Sequence, residues 1–173
     1  MTEAATIETG TSEWNPDGLL DQKQADLAET KYADMKEADR QQAEAYLAEK
    51  GVQVPADLEP IFERVAGEEG FSPEFLEAVS WNESRYNRLA QNGPCKGLMQ
   101  TNVNYWHQKN WQDPEQNIRA ACKCMTAIID QYGSEDLGSI AFHYHGEQGS
   151  ERYSNYPAEV AQVAEALERV HGK

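Results

Sequence analysis

Between Leu19 and Lys50 the chain runs without a single glycine or proline. The stretch is rich in Ala, Glu, Gln, Lys and Leu, residues that lose little freedom on entering a helix. Asn15-Pro16-Asp17 ahead of it supplies a cap and a proline suited to a first turn. Gly51 behind it suits a left-handed C-cap. The sequence therefore predicts a helical segment from residue 16 to residue 50. Its apolar residues, Leu20, Leu27, Met35, Tyr46 and Leu47, are too sparse for a heptad seam. A solvated helix or helical pair, acting as linker or stalk, is the expectation; a docking helix is the alternative. Residues 1–15 are polar and aperiodic and are expected to be disordered. Pro55 and Pro60 mark a boundary, which gives three parts: a leader over 1–15, an acidic helical segment and linker over 16–55, and a domain over 56–173.

That domain also reads as α-rich. Helical stretches are expected at 58–68, 73–84, 116–132, 136–143 and 158–171, and no convincing period-2 strand is present. The formal net charge is −15, and it is uneven: residues 1–70 hold 17 Asp/Glu against 6 Lys/Arg, residues 71–173 hold 13 against 9. A surface of this sign is repelled by phosphate backbones and anionic lipid, which argues against nucleic acid and membrane surfaces as partners. No apolar run approaches the roughly 18 residues of a membrane span. The opening "MTEAATIETG" shows neither the basic nor the apolar region of a secretory signal.

Cys95, Cys122 and Cys124 are an odd set. Three free thiols, or one bridge from Cys95 to Cys122 or Cys124, are both open. Cys-x-Cys without a second pair is poor zinc spacing.

The segment "WNESRYNRLAQNGPCKGLMQ", residues 81–100, concentrates the chemistry. Ser72-Pro73-Glu74 is a helix start. From there Phe75, Val79 and Glu83 recur at i, i+4 and i+8, with Leu76 and Tyr86 beside them, so Glu83 extends an apolar stripe. Glu74 and Glu77 are expected to fall off that stripe. A carboxyl on a core-facing stripe loses hydration, which favours its protonated form, the state of a general acid. It is equally a position for a carboxylate that accepts buried hydrogen bonds. Asn92-Gly93-Pro94 then predicts a turn, and Gly97-Leu98-Met99-Gln100 sets a soft apolar surface beside an amide. Sugars need apolar faces and amides together, and Tyr86, Tyr105, Trp106 and Trp111 are candidate ring platforms.

Glu83-Ser84-Arg85-Tyr86-Asn87, Ala90 and Gly97-Leu98-Met99-Gln100 resemble the glutamate and "GLMQ" motifs of lytic transglycosylases of the goose-lysozyme-like superfamily. "DPEQNIRAACKCMTAIIDQYG" from Asp113, "IAFHYHGEQGS" from Ile140 and "YSNYPAEVAQVAEAL" from Tyr153 are similar to three further segments, in order, so that the resemblance spans about 56–172. It implies an all-α, lysozyme-like (goose-type or lytic transglycosylase) domain with a groove for peptidoglycan glycan strands, without metal or organic cofactor. It implies cleavage of the β-1,4 bond between N-acetylmuramic acid and N-acetylglucosamine, with Glu83 as single acid and base and a 1,6-anhydro product. Ser84, Met99, Gln100 and Tyr156 are carried over as substrate-binding or orienting residues, with Tyr156 also a donor to Glu83. Thr101 stands where the family commonly has Ile.

The segment around Ile140 departs from the family's pattern. If Gly146 aligns with the family's glycine, His143 and Tyr144 stand at the Tyr and Asn that face the glutamate; a slip of one residue puts Tyr144 and His145 there. A hydrolase of the goose-type lysozyme kind needs a second acid, with Asp113, Glu115 or Glu147 available. An inactive glycan-binding module is a further alternative. The resemblance places the activity at the bacterial wall, outside the cytoplasm. The acidic leader is expected to find a protein partner in a larger assembly.

Overall fold

The computed structural model describes residues 16–146 and 155–173, with side chains from Gln22 onward. The reading of 1–15 as disordered, and Glu147 and Tyr153, lie outside the described residues. The chain divides into two compact units, Met1–Ala38 and Asp39–Lys173. No described helix is long and apolar enough to cross a membrane.

Helix α1, Pro16–Lys50, has the expected bounds. In the first unit its described side chains are exposed, Leu27, Tyr32 and Met35 included. In the second unit its last turns bury Ala43 and Leu47, and Tyr46 donates a hydrogen bond to Gln162 Oε1 (3.3 Å). Ala43 and Leu47 thus belong to the second unit's core. Gly51, at φ 71°, ends the helix, with Val52 N–H donating to Leu47 O (2.8 Å).

The second unit continues with α2, Glu59–Glu69, and α3, Pro73–Ser84. Ser72 caps α3 as its sequence predicts, accepting from Phe75 N–H (3.2 Å). Helix α3 packs against α2 on one side and α6, Tyr156–Val170, on the other. It is therefore buried all round from Glu74 to Ser80. The expectation that Glu74 and Glu77 leave the buried face is overturned: each is only 1% exposed. A helix at the centre of a bundle has no solvent face, so periodicity cannot sort its polar residues.

Three two-residue strands follow, β1 Gln91–Asn92, β2 Cys95–Lys96 and β3 Thr101–Asn102, paired antiparallel in chain order. Gly93, at φ 58°, turns β1 into β2 where Asn92-Gly93-Pro94 predicts a turn. Strands this short cannot show alternation, which is why no strand was legible. Helix α4, Pro114–Tyr132, buries Ile118, Ala121, Cys122, Met125 and Ile128 at helical spacing. Its opposite face carries Arg119, which holds Glu69 of α2 (3.0 Å) and its own Glu115 (2.9 Å). Helix α5, Leu137–His145, is capped by Asp136 and packs on α4 and α6. Among the described residues the architecture is all-α, with this one small sheet. Phe62, Phe75, Leu76, Met125 and Ile140 lie fully within the core, and burial of each stabilises by roughly 2–3 kcal/mol.

Candidate active site

Glu83 occupies the last turn of α3. Arg85 and Tyr86 immediately beyond are left-handed, at φ 55° and 60°, which stops the helix and turns the chain away. The Arg85 guanidinium lies over the Trp81 ring at 4.4 Å, which helps to hold a conformation unusual for residues with a Cβ. The Glu83 side chain is 13% exposed, open to solvent where Glu77 is not.

Two groups from distant parts of the chain meet one oxygen of Glu83. Tyr156, the first residue of α6, donates its hydroxyl to Glu83 Oε1 at 2.7 Å. His145, the last residue of α5, places Nδ1 3.4 Å from the same oxygen. The His145 and Tyr156 rings stack at 4.1 Å with 18° between planes, so each fixes the other. Burial, reinforced by the Glu83 charge, pushes the Tyr156 phenol well above its ordinary range, and it remains a donor. Burial and then Glu83 act on Tyr144 in the same direction.

The loop that follows α3 is held by buried and part-buried hydrogen bonds. Ser84 Oγ donates to Leu98 O (2.7 Å), so it ties the end of α3 to the loop. Tyr144 donates to Met99 O (2.5 Å), and Met99 N–H donates to Asn117 Oδ1 (2.7 Å). Asn117 is fully buried, and its amide also reaches Lys96 O (3.0 Å) and Thr101 Oγ1 (3.1 Å). Gly97, at φ 83°, makes room for it: a Cβ there would stand 2.5 Å from Asn117 Nδ2 and 2.7 Å from Trp111 O. Gln100 Nε2 donates to Ala90 O (3.2 Å) and Gly97 O (3.0 Å), closing the loop on itself.

The structure thus gathers Glu83 with Tyr156, and Ser84, Met99 and Tyr144 around the loop. The Met99 side chain lies in the core, and its backbone N–H and carbonyl are the groups that Asn117 and Tyr144 hold. His143 takes a different place from the one that its sequence position suggests. Its ring stacks flat on Tyr132 of α4 at 3.5 Å. The reason is helical phase: Ala141 is buried, and residues three and four further on, Tyr144 and His145, share its face. The slipped alignment is the one whose residues meet Glu83 and Met99. Asn117 is the residue that sequence reasoning left without a role, and His145 entered it only through the slipped alignment. The apolar phase of Ile140-Ala141 pointed to His145, and the place of Asn117 beside Ile118 on the buried stripe of α4 pointed to a buried amide.

The remaining candidates are engaged elsewhere. Asp113 caps α4 by accepting from Gln116 N–H (3.0 Å), and Glu115 is bound by Arg64 (2.6 Å) and Arg119. Tyr86 is buried, whereas Tyr105 is exposed with its ring edge-on to Trp106 at 5.0 Å. Cys95, Cys122 and Cys124 are free thiols; burial, with the Glu83 charge nearby, pushes Cys95 up. Among the described residues no three His, Cys, Asp or Glu side chains converge as a metal requires.

A carboxyl anchored through one oxygen, next to a residue tied to the loop, is suited to passing a proton to and from one fixed position. Comparison with known families matches residues 60–163 to the family described as Transglycosylase SLT domain. A search of curated proteins finds no match.

Proposed function

Because the chain belongs to the transglycosylase SLT-domain family, we propose that it is a peptidoglycan lytic transglycosylase in which Glu83 is the single acid and base. The family and the all-α, lysozyme-like architecture behind an acidic helical leader make peptidoglycan the substrate class. The observation that carries the finer reading is the 2.7 Å bond from Tyr156 to Glu83 Oε1. It fixes the carboxyl of α3 that keeps some exposure to solvent, whereas Glu74 and Glu77 are buried.

In this reading protonated Glu83 donates to the bridging oxygen as the bond from the muramoyl anomeric carbon to that oxygen breaks. The substrate's own N-acetyl oxygen stabilises the positive centre that develops. The Glu83 carboxylate then takes the proton of the muramoyl 6-hydroxyl as that oxygen bonds to the anomeric carbon. The product ends in a 1,6-anhydro ring, and Glu83 regains its proton. No second acid is needed, in contrast to a two-carboxylate glycosidase. Tyr156 keeps its proton throughout and steadies the charge on Oε1. Ser84, Tyr144 and Asn117 hold the backbone of Leu98 and Met99 where the sugar passes. His145 stands where the family has Asn and takes over its place opposite the glutamate.

Of the candidate second acids for a hydrolase, the two within the described residues are engaged, Asp113 as a cap and Glu115 with two arginines. Mass spectrometry of digested sacculi separates lyase from hydrolase: anhydro-muropeptides support the lyase, and reducing ends alone refute it. Binding without turnover by the wild type supports the inactive module instead. Replacement of His145 by Asn is expected to keep cleavage and replacement by Ala to reduce it; equal rates for Ala and wild type remove His145 from the site.

We place the activity outside the cytoplasm, at the wall. The exposed helix over residues 22–38 supports a protein partner for the leader. The truncated chain should begin at Asp39, because Ala43 and Leu47 belong to the core. Loss of that association with full cleavage retained is the expected result.

A further inference from the structure

Thr101 stands where the family commonly has Ile, and it is only 3% exposed. A buried hydroxyl costs solvation unless it is hydrogen-bonded, and this one is used in both directions. Thr101 Oγ1 donates to Gln108 Oε1 (2.7 Å) and accepts from Asn117 Nδ2 (3.1 Å). Asn117 Nδ2 also lies 3.3 Å from Gln108 Oε1 and 3.0 Å from Lys96 O. The other end of the same amide, Oδ1, accepts from Met99 N–H (2.7 Å).

This chain of bonds has a direction. An amide donates at one end and accepts at the other, whereas a hydroxyl serves either way. The Thr101 hydrogen is committed to Gln108 Oε1, so Thr101 can only accept from Asn117. Asn117 then turns Nδ2 toward Thr101, which leaves Oδ1 for Met99. A reversed amide would set oxygen against Gln108 Oε1 and Lys96 O, and N–H against N–H at Met99. Gln108 ends the chain at a cost to the fold: its buried Nε2 has no hydrogen-bond partner. Thr101 and Gln108 also each follow a left-handed residue that has a side chain, Gln100 at φ 50° and His107 at φ 51°. Such backbone is strained and persists where neighbouring bonds hold it. An unmet donor and two strained residues point to a position being held, not to stability being gained.

We propose that Thr101 and Gln108 are positioning residues, which act through the Asn117 amide to fix the Met99 backbone in the loop after α3. Met99 is then held at both of its backbone polar groups, since Tyr144 donates to its carbonyl (2.5 Å). An Ile at position 101 would offer Asn117 no acceptor and Gln108 no donor, so this control belongs to the Thr–Gln pair. That the glycan passes the Met99 backbone rests on the function proposed above.

The test compares Thr101→Val and Gln108→Met, which keep much of the shape and remove the bond between them, with Thr101→Ser, which keeps the hydroxyl. Each full-length variant is assayed for kcat and KM of anhydro-end release from soluble glycan strands, for thermal midpoint, and for hydrogen exchange at Met99 N–H without substrate. Thr101→Val and Gln108→Met are each expected to lower kcat about tenfold and to leave KM within about twofold. Exchange at Met99 should quicken about tenfold in both, with exchange along α4 unchanged. The double variant should fall no further than either single variant, because the two residues act as one chain. Thr101→Ser should match the wild type throughout. Unchanged kcat in both single variants, a fall in thermal midpoint that accounts for the lost turnover, or losses that multiply in the double variant overturns the proposal. So does unchanged exchange at Met99. A wild type that releases no anhydro ends refutes the cleavage reading alone, and exchange at Met99 then decides whether the pair sets the loop.

Discussion

At the first turn of α3 the Glu74 carboxylate lies 1% exposed against His171 Nδ1 (3.0 Å) and Lys173 Nζ (2.5 Å). At its last turn the Glu83 carboxyl is 13% exposed and takes its contacts from Tyr156 and His145. Burial pushes Glu74 up, but the hydrogen bonds from Lys173 and His171 outweigh it and hold the group at about 2. Glu77, one turn on from Glu74, has no such partner. Burial, then the charges of Glu74 and Glu59, push it up to about 8, and its Oε2 has no hydrogen-bond partner. The N-terminal half of α3 thus fixes the charge of its acids for the fold: one locked ionised, one kept neutral. The C-terminal end instead holds its acid through a neutral phenol at a position that solvent reaches. In the proposed function, position along one helix separates a structural carboxyl from a chemical one.

The largest expected effect follows from Glu83→Gln. Loss of the transferable proton is expected to lower turnover about a thousandfold, with urea unfolding close to wild type. A comparable loss of stability in that variant, or retained turnover, erases the distinction between the two ends. Glu77→Gln tests the opposite end. A carboxyl whose folded value is raised contributes stability that is complete below about 4.5 and is lost as pH rises through about 8. The wild type should therefore lose about 1.4 kcal/mol per pH unit across that window. Glu77→Gln should flatten the slope and be the more stable protein at pH 9, as read by urea unfolding at pH 5, 7 and 9. A parallel slope in the two proteins rejects the neutral assignment.

Glu74→Gln should act with the other sign. A lowered value contributes stability above about 4.5 that is lost as pH falls through about 2. The variant should be about 2 kcal/mol less stable at neutral pH, a figure reduced because Lys173 is half exposed, and equal to wild type near pH 2. Glu74→Gln should leave turnover per folded molecule unchanged. The smallest effect is expected from Tyr156→Phe, which removes one hydrogen bond to Glu83. A fall in turnover of about tenfold corresponds to the roughly 1.5 kcal/mol of a hydrogen bond to a charged group. An unchanged rate means that Tyr156 only docks α6.

Much of this molecule is written locally. Ser72-Pro73, Asp113-Pro114 and Asp136 start helices by capping, and Gly51 and Gly133 end them by accepting left-handed backbone. Such signals act over three or four residues and need no partner, so helix positions were legible to within about two residues. The family motif around Glu83 was legible for the same reason, since its residues are neighbours in the chain. Three features could not be read in this way. The burial of Glu74 and Glu77 depends on α6 covering a face that the sequence leaves open. The two-residue strands exist only as a set, because none is long enough to carry a pattern. The placing of His145 rather than His143 against Glu83 depends on how α5 is rotated on α4 and α6, a packing choice that one residue of phase reverses. The sequence by itself determined which residues form helices and which carboxyl stands at the end of one. Tertiary packing alone decided which acids lose their water, and which ring, 62 or 73 residues away, meets the one that keeps it. Desolvation and long-range contact are properties of the assembled bundle, not of any segment.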